Sequence, residues 1–326
     1  MNNLYLLKSA WKSFRKFVVI FSLLSGVLAL NACDQGGTVA GKVEAARKRN
    51  DGPAIWKITD QDSTLYLYGS VHLLPDDMKW QRRDMLAAFD EVGTVFFEVP
   101  DDNKSKLDAT ILQQQYGVYE SGDRLSNHLD VLAQKRLTAA AYNVKIPPAK
   151  LEIFKPWLAA DILSIAIAQD NGLLASNSVD SVLRTKAEAA GKSIRALEDM
   201  RSYIEVVALL PEWVQIHSLE ETIKKFDELP ADIKKVNAAW LVGNLPYLEK
   251  NMLDPARTKS PEMFAALFTD RNLKWAKTLD AFMQGDDNAM VVVGVGHLIG
   301  AEGLPFLLRE LGYDVERLRR FDLPNF

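Results

Sequence analysis

Cysteine is almost missing from this 326-residue chain: Cys33 stands alone, so no disulfide can form within it. Histidine is scarce as well, with four in all: His72, His128, His217 and His297. No basic tract of the kind that suits nucleic acid is present, which argues against such a partner. The uncharged run from Phe17 to Leu30 has 14 residues, too short to favour a membrane-spanning helix. There is no low-complexity segment and no array of short repeats.

What is present is the composition of an ordinary globular protein, 48% apolar and 25% charged. The N-terminus is a targeting segment and stays outside the fold argument. Lys8, Lys12, Arg15 and Lys16 precede the apolar run, and Leu30-Asn31-Ala32-Cys33 follows it. This arrangement resembles a bacterial lipoprotein signal covering residues 1–33. The resemblance implies a lipidated Cys33 as the mature N-terminus, held on a membrane without spanning it. Asp34 next to it implies the periplasmic side of the inner membrane, with the outer membrane as the alternative. An ordinary cleaved signal or an uncleaved anchor would also put the folded part outside the cytoplasm.

Residues 34–52 are polar and contain glycine, and read as a tether. The first 33 residues hold four of the 39 basic side chains and none of the 43 acidic ones, so the remainder carries 35 against 43, a net charge near −8. The domain that follows is expected over 53–320.

One short phrase occurs twice, near each end. Residues 64–72 read TLYLYGSVH and 290–297 read MVVVGVGH. Each is a strand-like run ending in Gly-x-x-His: Gly69-Ser70-Val71-His72 and Gly294-Val295-Gly296-His297. A histidine leaving a buried strand, after a glycine that lets the chain turn, is a usual place for a catalytic or metal-binding group in an α/β fold.

Strand signals cover 54–58, 64–68, 94–99, 290–295 and 314–318, the first two joined as a hairpin by Asp60-Gln61-Asp62-Ser63. Helical spacing covers 80–91 and 302–311, the latter stopped by Gly312. Residues 104–285 are rich in Ala, Leu, Lys and Glu and poor in strand signals. They read as a helical insertion, with helices over 151–168, 183–190, 200–210, 219–226, 233–242 and 261–283; the first is apolar nearly all round and hence buried. The expected fold class is α/β, a central and mostly parallel sheet built from the N- and C-terminal halves with the helical stretch between them.

His72, Glu98 and His297 each lie at or near the C-terminal end of an expected strand, the edge at which open α/β sheets bind ligands. Two imidazoles and a carboxylate suit a divalent first-row metal, with His72, His297 and Glu98 as its ligands. Without a metal the same three serve as general base, orienting carboxylate and acid. Glycines at 69, 294 and 296, with Gly300 and Gly303, let backbone N–H groups approach an anion or oxyanion. The pattern does not fit the dinucleotide motif. His128 and His217 read as surface or core residues of the helical part.

With these residues in view, the chain resembles the TraB/GumN family, which is related to the Tiki proteases, over about residues 54–318. The resemblance rests on Tyr66-Leu67-Tyr68-Gly69-Ser70-Val71-His72, Phe97-Glu98 and Gly294-Val295-Gly296-His297-Leu298 with Gly300 and Gly303-Leu304. Lys155-Pro156-Trp157, Ser178-Val179-Asp180, Leu197-Glu198 and Arg271-Asn272 add to it. It implies an erythromycin-esterase and ChaN-like core and an active site containing His72, His297 and Glu98. It implies a divalent metal (manganese, cobalt or zinc) and a peptide or small-molecule substrate, with Arg271 as a substrate or carboxylate partner. Asp180 and Glu198 read equally as caps or salt-bridge partners. Three functions stand open: a membrane-anchored metal-dependent hydrolase, a non-enzymatic peptide- or haem-binding protein, and a metal-free hydrolase with His72 as base. The sequence does not set the oligomeric state.

Overall fold

The structure, a computed structural model, describes residues 52–319. The signal at 1–33 with Cys33, and all of the tether except Gly52, lie outside the described residues. Among the described residues no helix is long and apolar enough to cross a membrane.

The protein has a mixed α/β fold. In chain order the elements are β1 (Ile55–Thr59), β2 (Thr64–Ser70), α1 (Arg83–Glu91), β3 (Thr94–Phe97), α2 (Asn103–Gly117), α3 (Val131–Asn143), α4 (Pro156–Asp170) and α5 (Val179–Ala189). Then come β4 (Ser193–Ala196), α6 (Met200–Ala208), α7 (Glu212–Lys224), α8 (Leu229–Leu241), α9 (Asp270–Met283), β5 (Ala289–Gly294), α10 (Leu304–Glu310) and β6 (Asp314–Leu318). Several short helical turns lie between α8 and α9.

The described residues form two compact units. One comprises residues 101–171 and 199–230, the other 52–100, 172–198 and 231–319. The first is helical: α4 packs against α7, and α2 against α6. Helix α4 starts at Pro156, whose missing N–H costs nothing in a first turn, and most of its side chains are buried, as its nearly all-round apolar character predicts. Helices α2 and α3 begin at Asp102 and Asp130, whose carboxylates accept the N–H groups of Ser105 and Ala133 at 2.8 and 2.7 Å.

The second unit holds one six-stranded sheet in the order β4-β3-β5-β2-β1-β6. Strands β4, β3, β5 and β2 are mutually parallel; β1 runs against both its neighbours, so β6 points the same way as β2. The β1–β2 hairpin turns on Asp60, whose Oδ1 accepts the N–H and hydroxyl of Ser63 at 2.8 and 2.9 Å. Strands β3 and β5 are buried along their whole length, which accounts for their continuous apolar runs. In β2, Leu65 and Leu67 enter a cluster with Val291, Val293, Trp275, Leu279, Leu304 and Leu308. Tyr68, on the opposite face, meets Trp80 at 6.2 Å.

The helical stretch expected over 104–285 is interrupted by β4, which extends the sheet beyond β3. Its residues Ser193-Ile194-Arg195-Ala196 alternate between exposed and half-buried, but an alternation of four residues on an edge strand is too short to stand out from the helical stretch around it. The long helix expected over 261–283 is likewise interrupted, by a π-helical turn at Ala265–Thr269 that leads into α9. A second π turn lies at Glu249–Leu253.

The register places the site. Ser70 of β2 pairs with Gly294 of β5, and Phe97 of β3 with Val292. Three neighbouring strands therefore release His72, Glu98 and His297 at the same edge, although the chain separates the first from the last by 225 residues.

Candidate functional site

His72 follows β2 by two residues, in a loop gripped from two sides. Trp240 Nε1 donates to the Gly69 carbonyl and Asn237 Nδ2 to the Leu73 carbonyl, both at 2.8 Å, from successive turns of α8. Leu74 pairs with Leu174, and the Val179 N–H reaches the Val71 carbonyl at 3.4 Å. The imidazole is then oriented by Asp180, in the first turn of α5. Asp180 Oδ2 lies 3.0 Å from His72 Nδ1, while Oδ1 accepts the Ser70 hydroxyl at 3.1 Å. Ser178 caps α5 by accepting the Ser181 N–H, which sets Asp180 at the helix entrance.

With Nδ1 committed to Asp180, the other ring nitrogen faces inward. His72 Nε2 is enclosed and has no hydrogen-bond partner. Burial pushes the imidazole pKa down, but the Asp180 charge and hydrogen bond, with the charge of Glu98, outweigh it and raise it to about 9 against an opposing Arg271. At neutral pH His72 is an imidazolium.

Glu98 sits just past β3 and is 5% exposed. Its Oε1 accepts the Gly294 N–H at 2.7 Å, and its Oε2 accepts Arg271 Nη2 at 2.7 Å. Burial alone would raise its pKa; Arg271, His297, His72 and the Gly294 N–H together bring it down to about 2. The β3–β4 ladder continues past the strands, with the Leu197 and Glu198 N–H groups donating to the Phe97 and Glu98 carbonyls at 2.9 and 3.0 Å. This puts a second carboxylate beside the first. Glu198 Oε1 accepts Arg271 Nε at 2.9 Å and Nη2 at 2.6 Å. Burial, reinforced by Glu98 and opposed by Arg271, holds the Glu198 carboxyl above its ordinary range.

Arg271, in the first turn of α9, is 2% exposed. Its guanidinium lies 4.4 Å from the Trp275 ring, and Nη1 donates to the Leu267 carbonyl at 3.3 Å. The same Nη1 is 3.3 Å from His297 Nε2. His297 is wedged between Trp275 and Phe268, with ring centroids at 4.5 and 5.1 Å. Its Nδ1 meets Asn272 Oδ1 at 2.7 Å, and Asn272 Nδ2 donates to the Glu302 carbonyl at 2.7 Å. That network assigns the proton to Nδ1 and leaves Nε2 to accept from Arg271. Burial lowers the His297 pKa to about 3, with Arg271 and His72 adding to the effect against Glu98, so this ring is neutral.

The sequence-expected residues His72, Glu98, His297 and Arg271 therefore converge at one sheet edge. As arranged, however, they do not fit a metal ion held by His72, His297 and Glu98. His297 Nε2 and Glu98 Oε2 are turned to the Arg271 guanidinium and Glu98 Oε1 to the Gly294 N–H, so of the three only His72 presents an open nitrogen. Among the described residues no group of three His, Cys, Asp or Glu side chains stands in positions that could hold one.

The glycines serve mainly as close-approach points. A Cβ on Gly69 would come 3.0 Å from the Val295 side chain, and one on Gly296 would come 2.6 Å from the Phe268 ring. The Gly294 N–H does bind an anion, but the anion is Glu98. Asp180, Glu198 and Asn272 belong to the site although sequence reasoning left them out. Their signal was their place in the short phrases Ser-Val-Asp, Leu-Glu and Arg-Asn. His128 lies in the helical unit, between Asp123 at 2.9 Å and Glu212 at 3.3 Å.

Searches among curated proteins and among solved structures find no match to the chain. A family model does match: that of the TraB/PrgY/gumN family, over residues 54–317, a span that contains every strand of the sheet except the last residue of β6 and every residue of the site. The chain belongs to the TraB/PrgY/gumN family.

Proposed function

We propose that the protein is a hydrolase of peptide-like acyl bonds, held at the periplasmic face of a membrane by lipid on Cys33, and that His72 is its proton-transfer group. The observation that carries the reading is the His72–Asp180 pair. One ring nitrogen is fixed by a carboxylate at 3.0 Å; the other is enclosed, unpartnered and protonated at neutral pH. A buried N–H without an acceptor is costly, and a substrate carbonyl or leaving-group oxygen supplies the acceptor.

In this role His72 is a general acid and oxyanion partner. Asp180 keeps the ring charged and aimed. Glu98, ionised at neutral pH, orients the attacking water through the lone pairs that Arg271 and Gly294 leave open and takes its proton as the new C–O bond forms, while His72 gives its own proton to the departing group. Arg271 and His297 hold Glu98 in place from behind and act as positioning residues. The family resemblance supports the hydrolase class, and the apolar run at 17–30 with the Leu30-Asn31-Ala32-Cys33 that follows supports the anchor.

The test is turnover of a fluorogenic peptide library and a p-nitrophenyl ester panel by the full chain in detergent, beside His72→Asn and Asp180→Asn. General acid catalysis contributes about 10²–10⁴-fold, so His72→Asn should lose at least about 100-fold in kcat with its melting temperature nearly unchanged. Equal rates in wild type and His72→Asn would end the assignment. If no probe turns over and a peptide mixture instead raises the melting temperature, the protein is a binder.

A further inference from the structure

The donors around Arg271 are those that a first-row divalent ion selects: Glu98 Oε2 at 2.7 Å, Glu198 Oε1 at 2.6 Å and His297 Nε2 at 3.3 Å from guanidinium nitrogens. All three residues are buried or nearly so, with side-chain exposures of 6%, 8% and 1%. A metal bonded to these atoms would lie about 2.0–2.2 Å from each. The guanidinium already fills that space, and two cations cannot share it in a low-dielectric interior.

We infer that Arg271 is the resident cation of this site and stands in the place of a divalent ion, so that the site works on a charge built into the chain. The guanidinium cannot lose its proton, which makes the charge permanent. It is also fixed on all sides. The Trp275 ring lies on one face at 4.4 Å, the Leu267 carbonyl takes Nη1, and both carboxylates take Nη2. A side chain held in this way is part of the frame. The π turn at Ala265–Thr269 supports it, since the carbonyl that accepts Nη1 belongs to that turn.

The orientation of His297 follows from the same arrangement. A metal-binding imidazole presents a lone pair to the ion and anchors its other nitrogen. His297 presents Nε2 to Arg271 and anchors Nδ1 on Asn272, the same posture with a guanidinium as the object. Removing the arginine would leave two carboxylates and an imidazole around an empty space, and a divalent ion is the natural occupant. This inference does not depend on hydrolysis, because it can be read without any substrate.

The experiment measures metal content and melting temperature of the full chain in detergent, alone and with manganese, cobalt or zinc chloride, for wild type, His297→Ala, Glu98→Gln and Arg271→Ala. Wild type should hold no ion that depends on His297 or Glu98, and added metal should not raise its melting temperature through them. An ion retained equally in His297→Ala and Glu98→Gln sits elsewhere and leaves the inference standing. About one ion per chain in wild type, lost in either variant, would overturn it. Arg271→Ala should take up about one ion per chain and melt higher with it, and the gain should vanish when His297→Ala is added. An Arg271→Ala protein that folds but gains no ion would also overturn it. If that variant does not fold, the wild-type comparison still decides.

Discussion

His72 owes its charge to its neighbours, and the charge can be followed by titration. Its pKa rises from 6.5 to about 9 on folding, so the folded state holds the proton more tightly. The associated stability is complete below pH 6.5 and is lost as the pH climbs through about 9. Urea denaturation of wild type and His72→Asn across pH 6–10 should therefore show curves that converge over that interval; parallel curves would contradict the assigned charge. Activity should follow the same direction. In the proposed mechanism the imidazolium is the working acid, so the rate should hold through neutral pH and fall toward pH 9. Replacing Asp180 by Asn removes the main upward influence, and the fall should begin nearer pH 6.5. A rate that instead rises up to pH 9 would make His72 a base.

Two elements, α8 and the π turn before α9, hold the histidine loops, and each offers a single-residue test. Trp240→Phe keeps an aromatic ring but leaves the buried Gly69 carbonyl unpaired, at a cost of about 1–3 kcal/mol. The loop carrying His72 then loses one of its two α8 contacts, so kcat should fall together with stability. Gly296→Ala drives a methyl group to 2.6 Å from Phe268, the ring that rests on His297. Overpacking of this kind costs about 1–3 kcal/mol. Gly93→Ala, where a Cβ meets nothing within 4 Å, is the control and should be near neutral. Denaturation midpoints of the three variants check both statements, and a Gly296→Ala protein as stable as Gly93→Ala would show that the contact yields freely.

These elements also mark how far the sequence could be read. The buried strands β2, β3 and β5 were visible because burial on both faces writes itself as an apolar run, and the repeated Gly-x-x-His marked where two of them end. Strand β4 is an edge strand of four residues, and its brief Ser-Ile-Arg-Ala alternation is too short to stand out from the helical stretch around it. Glu198 follows β4 and was hidden with it. Arg271 reads equally well as a helix-surface residue; only the sheet register, which brings Glu98 beside Glu198, makes it a buried cation. Legibility thus stopped where a role depends on which strand lies beside which.

At the scale of the whole molecule, the proposed anchor and the charge of the folded part act in opposite directions. The sequence after Cys33 carries a net charge near −8, so an anionic membrane surface repels it. A juxtamembrane basic segment contributes roughly 1 kcal/mol per Lys or Arg to such a surface, but here Lys42, Arg47, Lys48 and Arg49 are nearly balanced by Asp34, Glu44 and Asp51, so the gain is small. Membrane residence would then rest on the acyl chains at about 0.8 kcal/mol per buried CH₂. Cys33→Ser should therefore move the protein from the membrane to the soluble fraction. Because little electrostatic attraction remains to be screened, salt washes of the membranes should release none of the wild type and should not be needed for the variant. Fractionation of cells expressing each form, with and without a salt wash, makes the comparison. A Cys33→Ser protein that stays with the membrane until salt is added would mean that a surface of the folded part binds lipid headgroups; one that stays regardless of salt would mean that the apolar run at 17–30 is retained as an uncleaved anchor.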